Sequence, residues 1–138
     1  MSMVPIREGL FTEPLTPPEQ VKLIGSKCQH CGEVSFGKRI DCPNCASGDL
    51  KIIDLSRKGK LWSYTVIRNK PPGDYKGPEP FSPFGLGLVE LPEGIRVVAP
   101  IAVGIDKLKV GMDLELEIYK LYSNETGNDV MAFKFKPV

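Results

Sequence analysis

Cys28-Gln29-His30-Cys31-Gly32 and Cys42-Pro43-Asn44-Cys45 are two Cys-x-x-Cys pairs with ten residues between them. Two thiolates three positions apart reach one metal ion only where the backbone folds back between them. Gly32 after the first pair and Pro43 inside the second favour that tight knuckle. Four soft thiolates in tetrahedral array suit zinc, with Zn–S bonds of about 2.3 Å. The spacing therefore predicts a closed structural site, one zinc ion per chain, with a short hairpin carrying one knuckle to the other: a zinc ribbon. Disulfides would need an oxidising compartment, and Met1–Leu10, with Pro5, Arg7 and Glu8, has no apolar core of signal-peptide type. A redox pair ordinarily sits where a strand opens a helix, and the duplication speaks against it. Four thiolates also suit iron, so spacing alone leaves zinc and a rubredoxin-like iron site both open. His30, the only histidine, lies inside the first knuckle. A closed tetrahedral site has no use for a fifth ligand, so His30 is expected to face solvent or to stand behind the ligands.

Little is left over for catalysis. Hydrolytic and acyl-transfer chemistry needs a nucleophile and a base within hydrogen-bond reach, and here every cysteine is committed to metal. Four thiolates also leave no open coordination position for a catalytic zinc. Glu115 and Glu117 are a carboxylate pair, but strand alternation sets them side by side on a wet face. No glycine-rich loop follows a strand and opens a helix, so no nucleotide-hydrolysing site is expected. The chain is not expected to be an enzyme on its own.

The elements that must position these residues are almost all strands. Residues 1–20 hold four prolines and little periodicity, and read as an N-terminal extension. Thr16-Pro17-Pro18-Glu19 matches a capping box with proline at the first helical position, opening a helix of one or two turns at most. Residues 21–56 form the ribbon, with strands expected over 21–27 and 50–55. From Gly59 the pattern is β: Lys60–Arg68 is rich in branched and aromatic residues. A proline- and glycine-rich loop follows over 69–83. Phe84–Leu91 is the next strand, with Gly85 and Gly87 marking a bend or a close backbone approach, and Ile95–Val103 the third. Leu114, Leu116 and Ile118 alternate with Glu115, Glu117 and Tyr119, giving one buried and one wet face. Met131, Phe133 and Phe135 alternate with Ala132, Lys134 and Lys136 in the fifth. The fold class expected is mostly β: an N-terminal rubredoxin-like zinc ribbon followed by a small five-stranded OB-fold barrel over 57–138.

The net charge of +1 is unevenly laid out, with balances of −1 over residues 1–37, +5 over 38–76 and −3 over 77–138. A basic middle on a neutral chain suits a ligand with a few phosphates better than a long polyanion; the bland alternative is a solvated face. The composition is that of an ordinary soluble protein and the apolar runs are too short to cross a bilayer, so a cytoplasmic location is expected.

The order of motifs resembles a known family. Cys-x-x-Cys-Gly is followed by Phe36-Gly37-Lys38-Arg39, then Cys-Pro-x-Cys. A Gly59-Lys-Leu-Trp-Ser-Tyr-Thr-Val66 strand comes next, then a Leu88-Val-Glu-Leu-Pro-Glu-Gly-Ile-Arg-Val97 hairpin, and a Val110-Gly111-Met112 turn closes the set. Over residues 20–136 the chain resembles the zinc-ribbon/OB-fold proteins associated with acyl-CoA metabolism, once catalogued only as a domain of unknown function. It departs from them at the N-terminus, where the family often has a longer helix, and in the loop 69–83, where family members vary. A narrower likeness is to the small subunits of thiolases that cleave benzoylsuccinyl-CoA. The resemblance implies an accessory subunit of a thiolase-type catalytic partner in a hetero-oligomer, stabilising it and helping to receive the coenzyme A part of an acyl-CoA. The basic middle agrees with this. Arg39, Arg57, Lys58 and Arg68, together with Trp62, Tyr64 and Phe84, are the expected coenzyme A contacts, and alternation puts Trp62 and Tyr64 on one strand face. The competing reading is barrel packing for Trp62 and Tyr64 and surface ion pairs for Arg39 and Arg68. Loop 69–83, with Tyr75 and Phe81, is too long for a hairpin turn and reads as a binding element, or else as a merely mobile loop. A nucleic-acid-binding ribbon and barrel is the main rival function. A pI near 7.6 and acidic later strands (Glu90, Glu115, Glu117) argue against it.

Overall fold

In the computed structural model, which describes residues 3–7, 9–73 and 80–138, nine strands account for nearly all regular structure. They are β1 (Met3–Pro5), β2 (Ile24–Cys28), β3 (Val34–Phe36), β4 (Leu50–Asp54), β5 (Lys58–Ile67), β6 (Phe84–Glu90), β7 (Arg96–Ile101), β8 (Asp113–Ser123) and β9 (Asp129–Pro137). No α-helix occurs among the described residues, and none is long and apolar enough to cross a membrane. Strands β2, β3 and β4 form the ribbon's antiparallel sheet, with β2 central.

The other sheet closes on itself. Antiparallel pairs join β5 to β6, β6 to β7, β8 to β9 and β8 back to β5, while β7 meets β9 in parallel at Ile101 and Phe135. Five strands around one core make the OB-type barrel that the alternating pattern calls for. Leu61, Val89, Val97, Ile101, Leu114, Leu116, Ile118 and Phe135 point inward and are buried. Gly87 is needed for that packing: a Cβ there would lie 2.6 Å from Leu61 Cδ1 and 3.1 Å from Ile101.

The N-terminal segment is woven into the same core. β1 adds in parallel to β9, Phe11 bridges Leu23, and Leu10, Phe11 and Leu15 are buried with Val21, Leu23 and Leu55 in the cluster that fills the barrel. Phe133 touches Phe11, Phe36 and Phe135 edge-to-face at 6.1, 6.0 and 6.5 Å, so extension, ribbon and barrel meet on one ring. Arg57 fastens the same seam. Its guanidinium donates to the carbonyls of Pro18 (3.1 Å), Val21 and Leu116 (2.7 Å).

Two local expectations need correction. The capping box does not form: the only turn there is a 3-10 turn over Pro18–Gln20, with Pro17 at the cap and no side-chain hydrogen bond. Val21 is already extended, at φ −74° and ψ 137°, so the turn stops there. Trp62 and Tyr64 do not share a face. The register runs Leu61↔Val89, then Ser63↔Leu88 and Tyr64↔Gly87, so Trp62 is the extra residue of a β-bulge. A bulge breaks the two-residue period. Trp62 therefore lies on the outer wall and Tyr64 falls in the inner row with Gly87 and Ala99.

Candidate metal centre and the surfaces around it

The two knuckles are built alike. Gly32 N–H donates to Cys28 O (3.0 Å) and Ala46 N–H to Cys42 O (2.9 Å), each turn ending on a residue with positive φ: +81° at Gly32 and 65° at Ala46. Glycine takes that conformation freely, whereas alanine holds it at a cost. β2 delivers Cys28 at its end, and the bond from Cys42 N–H to Ser47 O steadies the second knuckle. The four Sγ atoms all lie within 4.8 Å of one another, with Cys28–Cys45 and Cys31–Cys42 each at 3.6 Å. A tetrahedron with Zn–S bonds of about 2.3 Å has edges of about 3.8 Å, so the sulfurs already stand where zinc needs them.

Donors around the sulfurs favour thiolates. The Cys31 N–H, and after it the His30 N–H, outweigh burial and hold the Cys28 thiol down to about 6. The Asn44 side-chain amide, then the Glu33 N–H, lowers Cys31. At Cys45 the Ser47 N–H pulls down, but burial and the sulfurs of Cys28, Cys31 and Cys42 together push the thiol up to about 12. Sulfurs so close resist carrying four negative charges, and a dication at their centre removes that conflict. The residues fit a structural zinc ion, which Cys28, Cys31, Cys42 and Cys45 would hold. His30 is exposed and contributes only its backbone N–H.

The other residues singled out in the sequence fall into separate places. Arg57, read as a ligand contact, is turned into the seam, where its two Nη atoms donate to three carbonyls. Lys58 is exposed, opposite Glu115. Trp62 is 46% exposed on the outer wall, with Arg96 stacked 3.8 Å from its ring centroid. Val98, 57% exposed, and half-buried Leu86 and Leu88 continue that wall. Tyr64, 39% exposed, reaches Leu108 O at 3.4 Å. Phe84 pairs in register with Ile67, next to exposed Arg68, and packs on Phe81 at 6.2 Å. Tyr75 and the middle of the loop lie outside the described residues. Arg39 stands apart from all of these, beside the ribbon. It shares a cleft of about 220 Å³ with Arg7, Gly9, Leu10, Phe36, Gly37 and Lys38. Sequence reasoning missed Arg7, which sits in an aperiodic segment that gave no sign of folding back, and Lys38, which was noted only within the Phe36–Arg39 motif.

Comparison with known proteins agrees with this architecture. Residues 17–51 match the family described as "ChsH2, rubredoxin-like zinc ribbon domain" and residues 53–118 the one described as "ChsH2, C-terminal OB-fold domain". The chain is 38% identical over 125 residues to a "DUF35 domain-containing scaffold protein" of Methanothermobacter thermautotrophicus, covering 87% of this chain and 90% of that one. It is 26% identical to "Benzoylsuccinyl-CoA thiolase subunit BbsA" of Thauera aromatica, covering 84% and 76%. A solved structure titled "Ltp2-ChsH2(DUF35) aldolase" superposes with a TM-score of 0.64 at 26% identity, covering 84% of each chain.

Proposed function

The chain belongs to the DUF35-domain family, built from a ChsH2-type zinc ribbon and OB-fold, and from that premise we propose that it is a non-catalytic accessory subunit of an acyl-CoA enzyme complex. The observation that carries this reading is the state of its reactive groups. All four sulfurs face one metal site, and the single imidazole projects from an exposed knuckle. The nucleophile and base then come from a second chain.

Relatives point to the partner's class. One is described as a subunit of a thiolase acting on a CoA thioester, and a structural neighbour is titled with an aldolase. The partner proposed is a thiolase or thiolase-like enzyme that makes or breaks a carbon–carbon bond in an acyl-CoA. A subunit of this kind needs a surface its partner can cover, and Trp62, Leu86, Leu88 and Val98 offer one on the outer wall of β5, β6 and β7.

Its second role is to help hold coenzyme A. Arg39, Lys58 and Arg68 would meet phosphates, and Trp62, Tyr64 and Phe84 would meet the adenine or the pantetheine arm. These residues do not form one pocket in the isolated chain, so the site they serve is completed by the partner. Co-expression with a thiolase-type enzyme from the same source, followed by gel filtration, tests the reading. Co-elution and loss of partner activity or solubility without this chain are expected; separate elution at micromolar concentration with a fully active partner would overturn it.

A further inference from the structure

We propose that the cleft between the N-terminal segment and the β3–knuckle loop is an anion site for a diphosphate or a pair of phosphomonoesters, held by Arg7, Lys38 and Arg39. The cleft measures about 220 Å³, far above the roughly 10–15 Å³ that admits a single water. All three of its ionisable lining side chains, among the described residues, are cations. None of them is paired with a carboxylate among the described residues. Five other cations have partners of their own: Lys60 on Asp113, Arg96 on Glu90, Lys120 on Asp129, Lys134 on Glu117 and Arg57 on backbone carbonyls. Three cations lining one cleft repel one another, and an anion between them relieves that repulsion.

The cleft is fixed by the fold on both sides. On the ribbon side, fully buried Ser26 donates to Gly37 O at 2.7 Å and accepts the Arg39 N–H at 3.1 Å, clamping the loop that carries Lys38 and Arg39 onto β2. On the other, the aliphatic stem of Lys38 lies against Gly9, where a Cβ would be 3.3 Å from Lys38 Cδ. Ile24 N–H bonds to Leu10 O at 2.9 Å, tying the segment that carries Arg7 and Gly9 to β2. Two guanidinium forks and an ammonium suit tetrahedral phosphate oxygens, and a cleft of this volume suits a compact dense anion better than an extended acidic chain.

The inference adds Arg7 and Lys38 to Arg39 and rests on the coenzyme A reading only for the identity of the larger ligand. Isothermal titration of the zinc-loaded full chain with inorganic pyrophosphate tests the site, and titration of coenzyme A into its complex with the proposed partner tests the link. Pyrophosphate is expected to bind saturably, shifting the amide resonances of Gly37, Lys38 and Arg39 and leaving Val98 still. Arg39→Gln and Lys38→Gln should each weaken it about tenfold or more, as expected for losing one charge-assisted hydrogen bond. Lys60→Gln, on the barrel, should leave it unchanged. Because these side chains are exposed, the variants should keep the parent's melting temperature. No saturable pyrophosphate binding, or equal binding by Lys38→Gln and Arg39→Gln, overturns the site. Pyrophosphate binding by the chain without coenzyme A binding by the complex upholds the site and removes the coenzyme A reading. Coenzyme A binding that ignores both variants upholds that reading and overturns the assignment of the cleft to coenzyme A.

Discussion

Arg57→Ala should loosen the join between the N-terminal segment and the barrel without touching the zinc site. In the parent, one guanidinium serves three carbonyls from two parts of the chain, Pro18 and Val21 on one side and Leu116 in β8 on the other. A hydrogen bond from a charged donor contributes about 1.5–3 kcal/mol, and an acceptor left buried without a partner costs about 1–3 kcal/mol. Pro18 is exposed, so water replaces that contact at little cost. The Val21 and Leu116 contacts remain, and since they share one group they do not add fully. The expected loss is about 3 kcal/mol, near the upper end of ordinary point mutants. Urea unfolding of the zinc-loaded protein, followed by Trp62 fluorescence, would read it. Hydrogen exchange should show the amides of Thr12 and Ile24, which bond across the segment, losing protection before those of β6. Arg57→Lys should recover under half of the loss, because one ammonium cannot span the three acceptors. A destabilisation below about 1 kcal/mol for Arg57→Ala, the range of an ordinary surface substitution, would refute the view of Arg57 as the fastener of the seam.

Three further outcomes follow from the geometry. Ala46→Gly should stabilise the zinc-loaded protein by about 0.5–1 kcal/mol in the same assay, because relief of the left-handed strain exceeds the added freedom of the unfolded chain; a loss of stability would contradict it. Gly87→Ala should cost about 1–3 kcal/mol through overpacking against Leu61 and Ile101, visible as a lower urea midpoint; no change would contradict the packing described for the barrel interior. Zinc retention should fall with acid. The Cys28 thiol in the fold sits at about 6 against an ordinary 9.0, so its contribution is present above the ordinary value and lost as pH falls through about 6. Metal release to a chromogenic chelator should rise as pH drops, because protons compete with the ion for the four thiolates, and Cys42→Ser should release it even at neutral pH; retention undiminished in acid would oppose the first, and retention by the variant at neutral pH the second.

Much of this was legible in the residues. The knuckles follow from type and spacing, since tetrathiolate geometry admits few backbones, and the barrel strands follow from two-residue alternation in Leu114–Ile118 and Met131–Phe135. Three features were hidden for physical reasons. β1 and the buried Leu10, Phe11 and Leu15 carry no period, because that segment crosses the core as an irregular strap between prolines. The bulge at Trp62 is set by how β5 must bend to meet both β6 and β8, which no local pattern encodes. Arg7 and Arg39 are 32 positions apart, and only the pairing of residues 10–12 with 22–24 brings them to one cleft. Ala46 was legible in retrospect, as the residue matching Gly32 in the second knuckle.

The account turns on reactivity being supplied by a second subunit. The most direct measurement is acyl-CoA cleavage by the pure zinc-loaded chain, by the proposed thiolase-type partner, and by the two together. No turnover by the chain, weak or unstable turnover by the partner and full turnover by the pair are predicted. Turnover by the chain alone, or a partner fully active without it, would contradict the account.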